Sequence, residues 1–243
     1  MSYKSILLNI LFPRHCVICE TPDSYLCKNC FGAIPIRKTN LCPVCQNIET
    51  FAGRVCNVCE NEKRKIYLDG LIIASYYKNP VLRETLFRFK YNFIQGLSFS
   101  LAKVLAKKIL SLSEFPFTDF TLVPIPLHPK RQLWRGFNQA ALLVKKLQLL
   151  LDKKEVFVET SPTLLIREKN SKPQMKIKST LVREKNIVGS FIFNKAFTNN
   201  TPKKIILVDD IATTGATLNE CAKILKRHGA EKVWGLVLGR QGY

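Results

Sequence analysis

The chain has 243 residues, 47% hydrophobic and 23% charged, an ordinary globular composition that argues against whole-chain disorder. Lys and Arg number 38 against 18 Asp and Glu, so the formal net charge is +20 and polyanionic partners come into view. No apolar run approaches the roughly 20 residues of a membrane-spanning helix, and residues 6–12 are followed by no small-residue cleavage site, so a cytoplasmic protein with no membrane span is expected.

The first feature along the chain is cysteine. Eight of the nine form four Cys-x-x-Cys pairs: Cys16/Cys19, Cys27/Cys30, Cys42/Cys45 and Cys56/Cys59. Two thiolates two residues apart grip one metal from a tight turn, and two such pairs complete a tetrahedral sulfur shell that suits zinc. The spacers are seven residues and ten residues. Sequential pairing, the simplest, gives two zinc ribbons; a cross-braced pairing of first with third and second with fourth also satisfies the spacing. Disulfides and an iron–sulfur cluster are minor alternatives for a chain expected in a reducing compartment. A segment this small lacks a self-sufficient core, so one or two zinc ions would supply folding energy, with no coordination position left open for catalysis. Each four-thiolate zinc site carries about −2, which lowers the net charge to about +16. The expected division is a Cys-rich segment at 1–66 and a larger domain at 67–243.

Beyond the basic run Lys63-Arg64-Lys65, β-formers at 70–77 predict a strand. Pro80 opens a helix over 80–90, and apolar spacing predicts another over 97–112. A short strand follows at 120–125, a helix at 137–151 and an alternating strand at 187–193. The continuous apolar run 205–208 reads as a strand buried on both faces. A helix at 216–228 and a strand at 233–238 complete the pattern. Alternating strands and helices predict an α/β fold with a mainly parallel sheet and flanking helices. Residues 167–186, with seven basic and two acidic side chains and sparse apolar ones, read as a long loop.

Residues 205–217 carry the most chemistry. A buried strand delivers Asp209 and Asp210 to its carboxyl end, where open α/β sheets bind ligands. The turn Ala212-Thr213-Thr214-Gly215-Ala216-Thr217 then enters a helix. Backbone N–H groups, threonine hydroxyls and the positive helix terminus make a phosphate cradle, and Gly215 permits close backbone approach. Ionised carboxylates accept hydrogen bonds from the vicinal hydroxyls of a sugar. Lys130, Arg131 and Arg135 follow the 120–125 strand directly, which brings cations to the same sheet edge, where arginine suits phosphate.

This motif resembles the type I phosphoribosyltransferases, and the whole layout is similar to the ComF (ComFC) family of competence-associated proteins. Beside the four Cys pairs, the family resemblance rests on Leu11-Phe12-Pro13, on Pro124-Ile125-Pro126-Leu127-His128 and on Arg135-Gly136-Phe137-Asn138-Gln139. The loop around Arg167, Gln174, Arg183 and Asn186 is similar more loosely. The resemblance implies a type I phosphoribosyltransferase-like domain that binds phosphoribosyl pyrophosphate with Mg²⁺. Asp209 and Asp210 would hold the ribose hydroxyls and serve as catalytic residues, with Asp210 favoured as general base. Ala212, Thr213, Thr214, Gly215, Ala216 and Thr217 would hold the 5′-phosphate, and Lys130, Arg131 and Arg135 the pyrophosphate. It also implies a role in DNA uptake during natural transformation, on single-stranded DNA and with the competence helicase. Two functions follow as expectations: a phosphoribosyltransferase with an unidentified acceptor, or a non-catalytic single-stranded nucleic-acid-binding accessory whose phosphoribosyl site is regulatory or vestigial.

Overall fold

A computed structural model describes residues 14–61, 66–112, 114–169 and 187–241. The readings that fall on residues 11–13, on the basic run 63–65 and on positions 170–186 of the basic loop lie outside them. The strands are β1 (Gly70–Ile73), β2 (Thr121–Pro124), β3 (Glu159–Thr160), β4 (Leu165–Arg167), β5 (Phe191–Phe193), β6 (Lys204–Ala212) and β7 (Lys232–Arg240). Five of them form one sheet in the order β1-β7-β6-β2-β3, with every neighbouring pair parallel. β4 and β5 form a separate antiparallel pair.

The helices are α1 (Lys28–Gly32), α2 (Asn57–Asn61), α3 (Pro80–Tyr91), α4 (Leu97–Leu110), α5 (Pro129–Arg135), α6 (Gln139–Asp152) and α7 (Ala216–Arg227). Local chemistry starts several of them. Asn79 caps α3 by accepting from the Leu82 N–H at 2.9 Å, with Pro80 in the first turn. Asn138 caps α6 through the Ala140 N–H at 3.0 Å.

The continuous apolar run 205–208 is explained by its position at the centre of the sheet. Ile206 and Val208 pack on one face with Leu86 of α3, Leu105 of α4 and Leu143 of α6. Ile205 and Leu207 pack on the other with Leu218 and Leu225 of α7 and Phe193 of β5. Both faces are covered, so no alternation with polar residues survives.

Topology then opens a crevice. From β2 the chain passes outward to β3; from β6 it passes the opposite way to β7. The connections diverge above the carboxyl ends of β2 and β6, the switch point where open α/β sheets accept ligands. β2 ends at Pro124, paired with Val208, while β6 runs on beside β7 to Ala212. Asp209 and Asp210 therefore sit inside the strand, just past the end of β2, rather than in a turn after Val208. Other segments differ from expectation, among them the strand expected at 70–77, which ends at Ile73. The stretch after Leu127 coils into helix α5, with His128 capping the Lys130 N–H at 3.2 Å. The strand expected at 187–193 is confined to 191–193, since Gly189 turns the chain at φ +66.

The cysteine segment docks firmly on this domain. Cys16, Leu26, Ile34 and Ala52 share the core that contains α3 and α4. The Ser75 hydroxyl donates to Pro35 O at 2.6 Å and the Arg37 N–H to Ala74 O at 2.9 Å. A Cβ at Gly53 would lie 2.1 Å from the Leu71 carbonyl oxygen, so the backbones meet where only glycine fits.

Candidate functional site

Two sulfur clusters come first. The thiols of Cys16, Cys19, Cys27 and Cys30 lie within 4.8 Å of one another, as do those of Cys42, Cys45, Cys56 and Cys59. Cys19 and Cys27 are 3.6 Å apart, and Cys45 and Cys56 are 3.8 Å apart. A tetrahedral zinc with bonds of about 2.3 Å has sulfur–sulfur edges of about 3.8 Å, so the donor sets fit. The pairing is sequential, giving two zinc-binding sites of four cysteines each.

The two sites repeat one local design. Glu20 and Gln46, each directly after the second cysteine of a pair, take left-handed φ values of 60 and 59. Their N–H groups donate back to the Cys16 and Cys42 carbonyls. The Cys27 and Cys56 N–H groups each donate to the first sulfur of the other pair, at 3.4 Å in both cases. Such bonds stabilise thiolate charge.

At the sheet's carboxyl edge lies a cavity of about 430 Å³, within the usual range for small-molecule sites. Asp209 and Asp210 form its floor. Asp210 is 7% exposed and its carboxylate meets Lys90 Nζ of α3 at 2.9 Å. Asp209 accepts the Asp210 N–H at 2.8 Å. Burial pushes the Asp209 carboxyl up to about 7, the adjacent Asp210 charge adds to the rise, and Lys90 opposes it. Burial alone would lower the Lys90 ammonium, but the Asp210 carboxylate outweighs it and holds the lysine above its usual value.

One wall is the turn into α7. Ala212, Thr213, Gly215, Ala216 and Thr217 line the cavity. Thr214 does not; its hydroxyl accepts the Ala216 N–H at 3.2 Å. Gly215 has φ +86, and α7 opens with no side-chain cap from that residue and no acidic group in its first turn. A helix start of this kind attracts anions through its N–H groups and dipole.

The opposite wall is cationic. Arg131 and Arg135 of α5 and Arg167 of β4 line it, while Lys130 is exposed and outside the lining. Burial lowers the Arg131 guanidinium, and the neighbouring Arg135 charge lowers it further. Burial also lowers Arg167, with Arg131 adding to the effect. Mutual repulsion among buried cations is relieved by an anion. Among the described residues, buried Arg135 Nε and Gln139 Nε2 meet no hydrogen-bond partner, so the cavity lining carries donors that a ligand can satisfy.

The cavity thus brings together the acid pair, most of the turn and two of the three expected cations. Two further residues join the site that sequence reasoning misses. Lys90 has a signal: Leu82, Leu86 and Lys90 share a four-residue spacing, which puts a lysine on α3's buried stripe. For Arg167 the signal is the loose family likeness of the loop it opens, which gives it no place in the cavity; the three-residue β4 that buries it reads in sequence as the start of that loop. His128 donates Nε2–H to Glu168 O at 3.0 Å, because its Nδ1 accepts from Lys130; this ties α5 to the end of β4.

At the cavity mouth is an aromatic ledge. Phe87 and Tyr91 pack with ring centroids 5.2 Å apart and planes tilted by 40°, and Phe93 and Trp134 meet edge to face at 5.2 Å. The Arg135 guanidinium lies 5.8 Å from both the Tyr91 and Trp134 rings. Phe87 is 49% exposed and Trp134 is 64% exposed.

Comparison with known proteins places both parts of the chain in known families. Residues 137–240 match the phosphoribosyl transferase domain family, and residues 7–61 match the double zinc ribbon domain family. The chain is 30% identical over 236 residues to competence protein F of Haemophilus influenzae, covering 88% of this chain and 96% of that protein. It is 31% identical over 220 residues to competence protein ComFC of Bacillus subtilis, covering 86% and 80%. It is 26% identical over 232 residues to DNA utilization protein YhgH of Escherichia coli, covering 92% and 96%.

Proposed function

The chain belongs to the ComF/ComFC family of competence proteins, and from that premise we propose that its cavity binds Mg-phosphoribosyl pyrophosphate in a cytoplasmic protein that serves DNA uptake. One observation carries the reading. At the switch point of a parallel sheet, a tandem acid pair, a helix start without an acidic group and a cluster of arginines face one cavity of about 430 Å³. A sugar with a phosphate at one end and a diphosphate at the other asks for that arrangement of charge.

The ribose 2′ and 3′ hydroxyls would donate to Asp209 and Asp210. The 5′-phosphate would take the turn at 212–217, and the pyrophosphate Arg131, Arg135 and Arg167, with Lys130 at the rim. Mg²⁺ suits the donor set, since hard carboxylate oxygens stand beside the expected phosphate oxygens. Glu84, the other carboxylate in the lining among the described residues, is taken by Arg88 at 2.7 Å. When bound, the ion would neutralise the pyrophosphate. The protein's part in transfer would be to hold the anomeric carbon exposed, stabilise the leaving anion and accept a proton from the incoming group on an Asp carboxylate.

The test pairs binding with turnover. Pyrophosphate release is followed with candidate acceptors in the wild type and in the Asp209→Ala/Asp210→Ala variant. Release that is lost in the double variant supports a transferase. Intact binding with no release from any acceptor rejects the catalytic half and leaves a ligand-binding site.

The aromatic ledge favours a second reading: single-stranded DNA lies across the cavity mouth, its bases stacked on Phe87 and Trp134 and its phosphates met by Arg88 and, where no pyrophosphate occupies it, Arg135. Stacking contributes about 1–3 kcal/mol per base, so Phe87→Ala/Trp134→Ala should weaken single-strand binding at least tenfold while phosphoribosyl pyrophosphate binding persists. Affinity for single strands should fall steeply between about 50 and 200 mM salt, as counterion release requires. A flat salt response, or a double variant that binds like the wild type, rejects the ledge.

A further inference from the structure

Arg240, the last residue of β7, is 7% exposed and stands between the two functional regions. Its Nε donates to Thr213 O at 3.0 Å and its Nη2 to Thr214 O at 3.3 Å. Its Nη1 donates to Pro43 O at 2.8 Å. Thr213 and Thr214 are the first two residues of the turn into α7. Pro43 lies inside the Cys42/Cys45 knuckle of the second zinc site.

We propose that Arg240 is a positioning residue through which the second zinc knuckle holds the phosphate turn in its binding shape. The physics is local. A trans peptide sets its C=O and N–H on opposite sides. Pinning the Thr213 and Thr214 carbonyls on Arg240 therefore turns the Thr214 and Gly215 N–H groups away from it. One guanidinium fork fixes two successive peptide planes, which a lysine's single ammonium does less well. The fork is itself fixed at its third donor by a carbonyl whose place depends on the metal turn: Cys42 N–H bonds Ile48 O at 2.8 Å and Gln46 N–H bonds Cys42 O at 3.0 Å. Backbone pairing of Ala212 with Arg240 and a 2.8 Å bond from Gln241 N–H to Ala212 O hold the base of the bridge. At the first zinc site the Cys27 N–H donates to Cys16 Sγ and the Cys30 N–H to Cys27 Sγ, bonds that stay within that ribbon. Coupling is reciprocal, so a phosphate held in the turn also holds the second metal.

The inference rests on reading the turn as a phosphate site, and the experiment separates the two. Zinc-loaded wild type, Arg240→Lys and Arg240→Met are compared in ribose 5-phosphate affinity, in hydrogen exchange of the 213–218 amides, and in chelator-driven zinc release. Arg240→Met should bind ribose 5-phosphate about tenfold more weakly, with two zinc ions per chain retained and faster exchange at 213–218. Arg240→Lys should fall between. In the wild type, ribose 5-phosphate should slow release of one zinc and leave the other unchanged; in Arg240→Met it should slow neither. Unchanged affinity and exchange in both folded variants overturn the bridge, as does equal slowing of both metals. Should Arg240→Met fail to fold, Arg240→Lys decides on the same readouts. A wild type that ignores ribose 5-phosphate contradicts the phosphate reading instead, and amide exchange at 213–218 then decides the bridge alone.

Discussion

Asp209 is the residue whose chemistry is most exposed to measurement. Its folded carboxyl is raised to about 7, from an ordinary value near 4 in the unfolded chain. A raised acid holds its proton in the folded state, so as pH climbs from about 4 the unfolded state gives up that proton first and folding is progressively disfavoured. The loss is complete above about 7. Asp209→Asn removes it. The variant should match the wild type near pH 4 and gain stability up to neutrality, with a plateau above. Water at the cavity mouth screens part of the effect, so the gain at pH 8 should be about 1–2 kcal/mol, or roughly 2–8 °C in melting temperature. Melting curves across pH check this; a gain largest at low pH contradicts it. The group that costs stability is also the one poised to take hydroxyl donors or a cation, the usual compromise at a binding site.

Among the elements, the β6–α7 turn is the most legible, because its chemistry is contiguous: an apolar strand, two acids, hydroxyls and a glycine. Gly215 makes a clean test. An added Cβ meets nothing within 4 Å, so the cost of Gly215→Ala comes from φ +86 alone. That conformation costs an L residue about 1–2 kcal/mol, and the strained turn should also lose affinity for phosphate ligands. Thermal melts and phosphate titration check it, and a variant that is neutral in both contradicts the turn's role. The cation wall is less legible. Arg131 and Arg135 follow a predicted strand, but their coiling into α5 depends on His128 and Pro129 at a start with no longer apolar period. Lys90 and Arg167 arrive from α3 and β4 through tertiary packing. Arg240 reads in sequence as an ordinary terminal cation; only the meeting of β7, the turn and a zinc knuckle reveals it.

At the scale of the whole molecule, the parallel α/β plan follows from alternation of strands and helices, while strand order and the seat of the cysteine segment do not. Cysteine spacing supplies the eight ligands but leaves two pairings open, since knuckle geometry is local and pairing is decided by how the ribbons fold. Their docking has a consequence. Cys16, Leu26, Ile34 and Ala52 lie in the same core as α3 and α4, so metal loss should propagate beyond residues 14–61. Metal analysis should find two zinc ions per chain. Chelation should lower the melting temperature of the whole chain, not only of a minor transition. A domain that melts unchanged after zinc removal contradicts this coupling. A phosphoribosyl pocket at the sheet's carboxyl edge should reveal itself in calorimetric titration of zinc-loaded protein with Mg-phosphoribosyl pyrophosphate. Saturable one-site heat should appear in the wild type and disappear in the folded Asp209→Ala/Asp210→Ala variant. No heat in the wild type, or the same heat in both proteins, contradicts it.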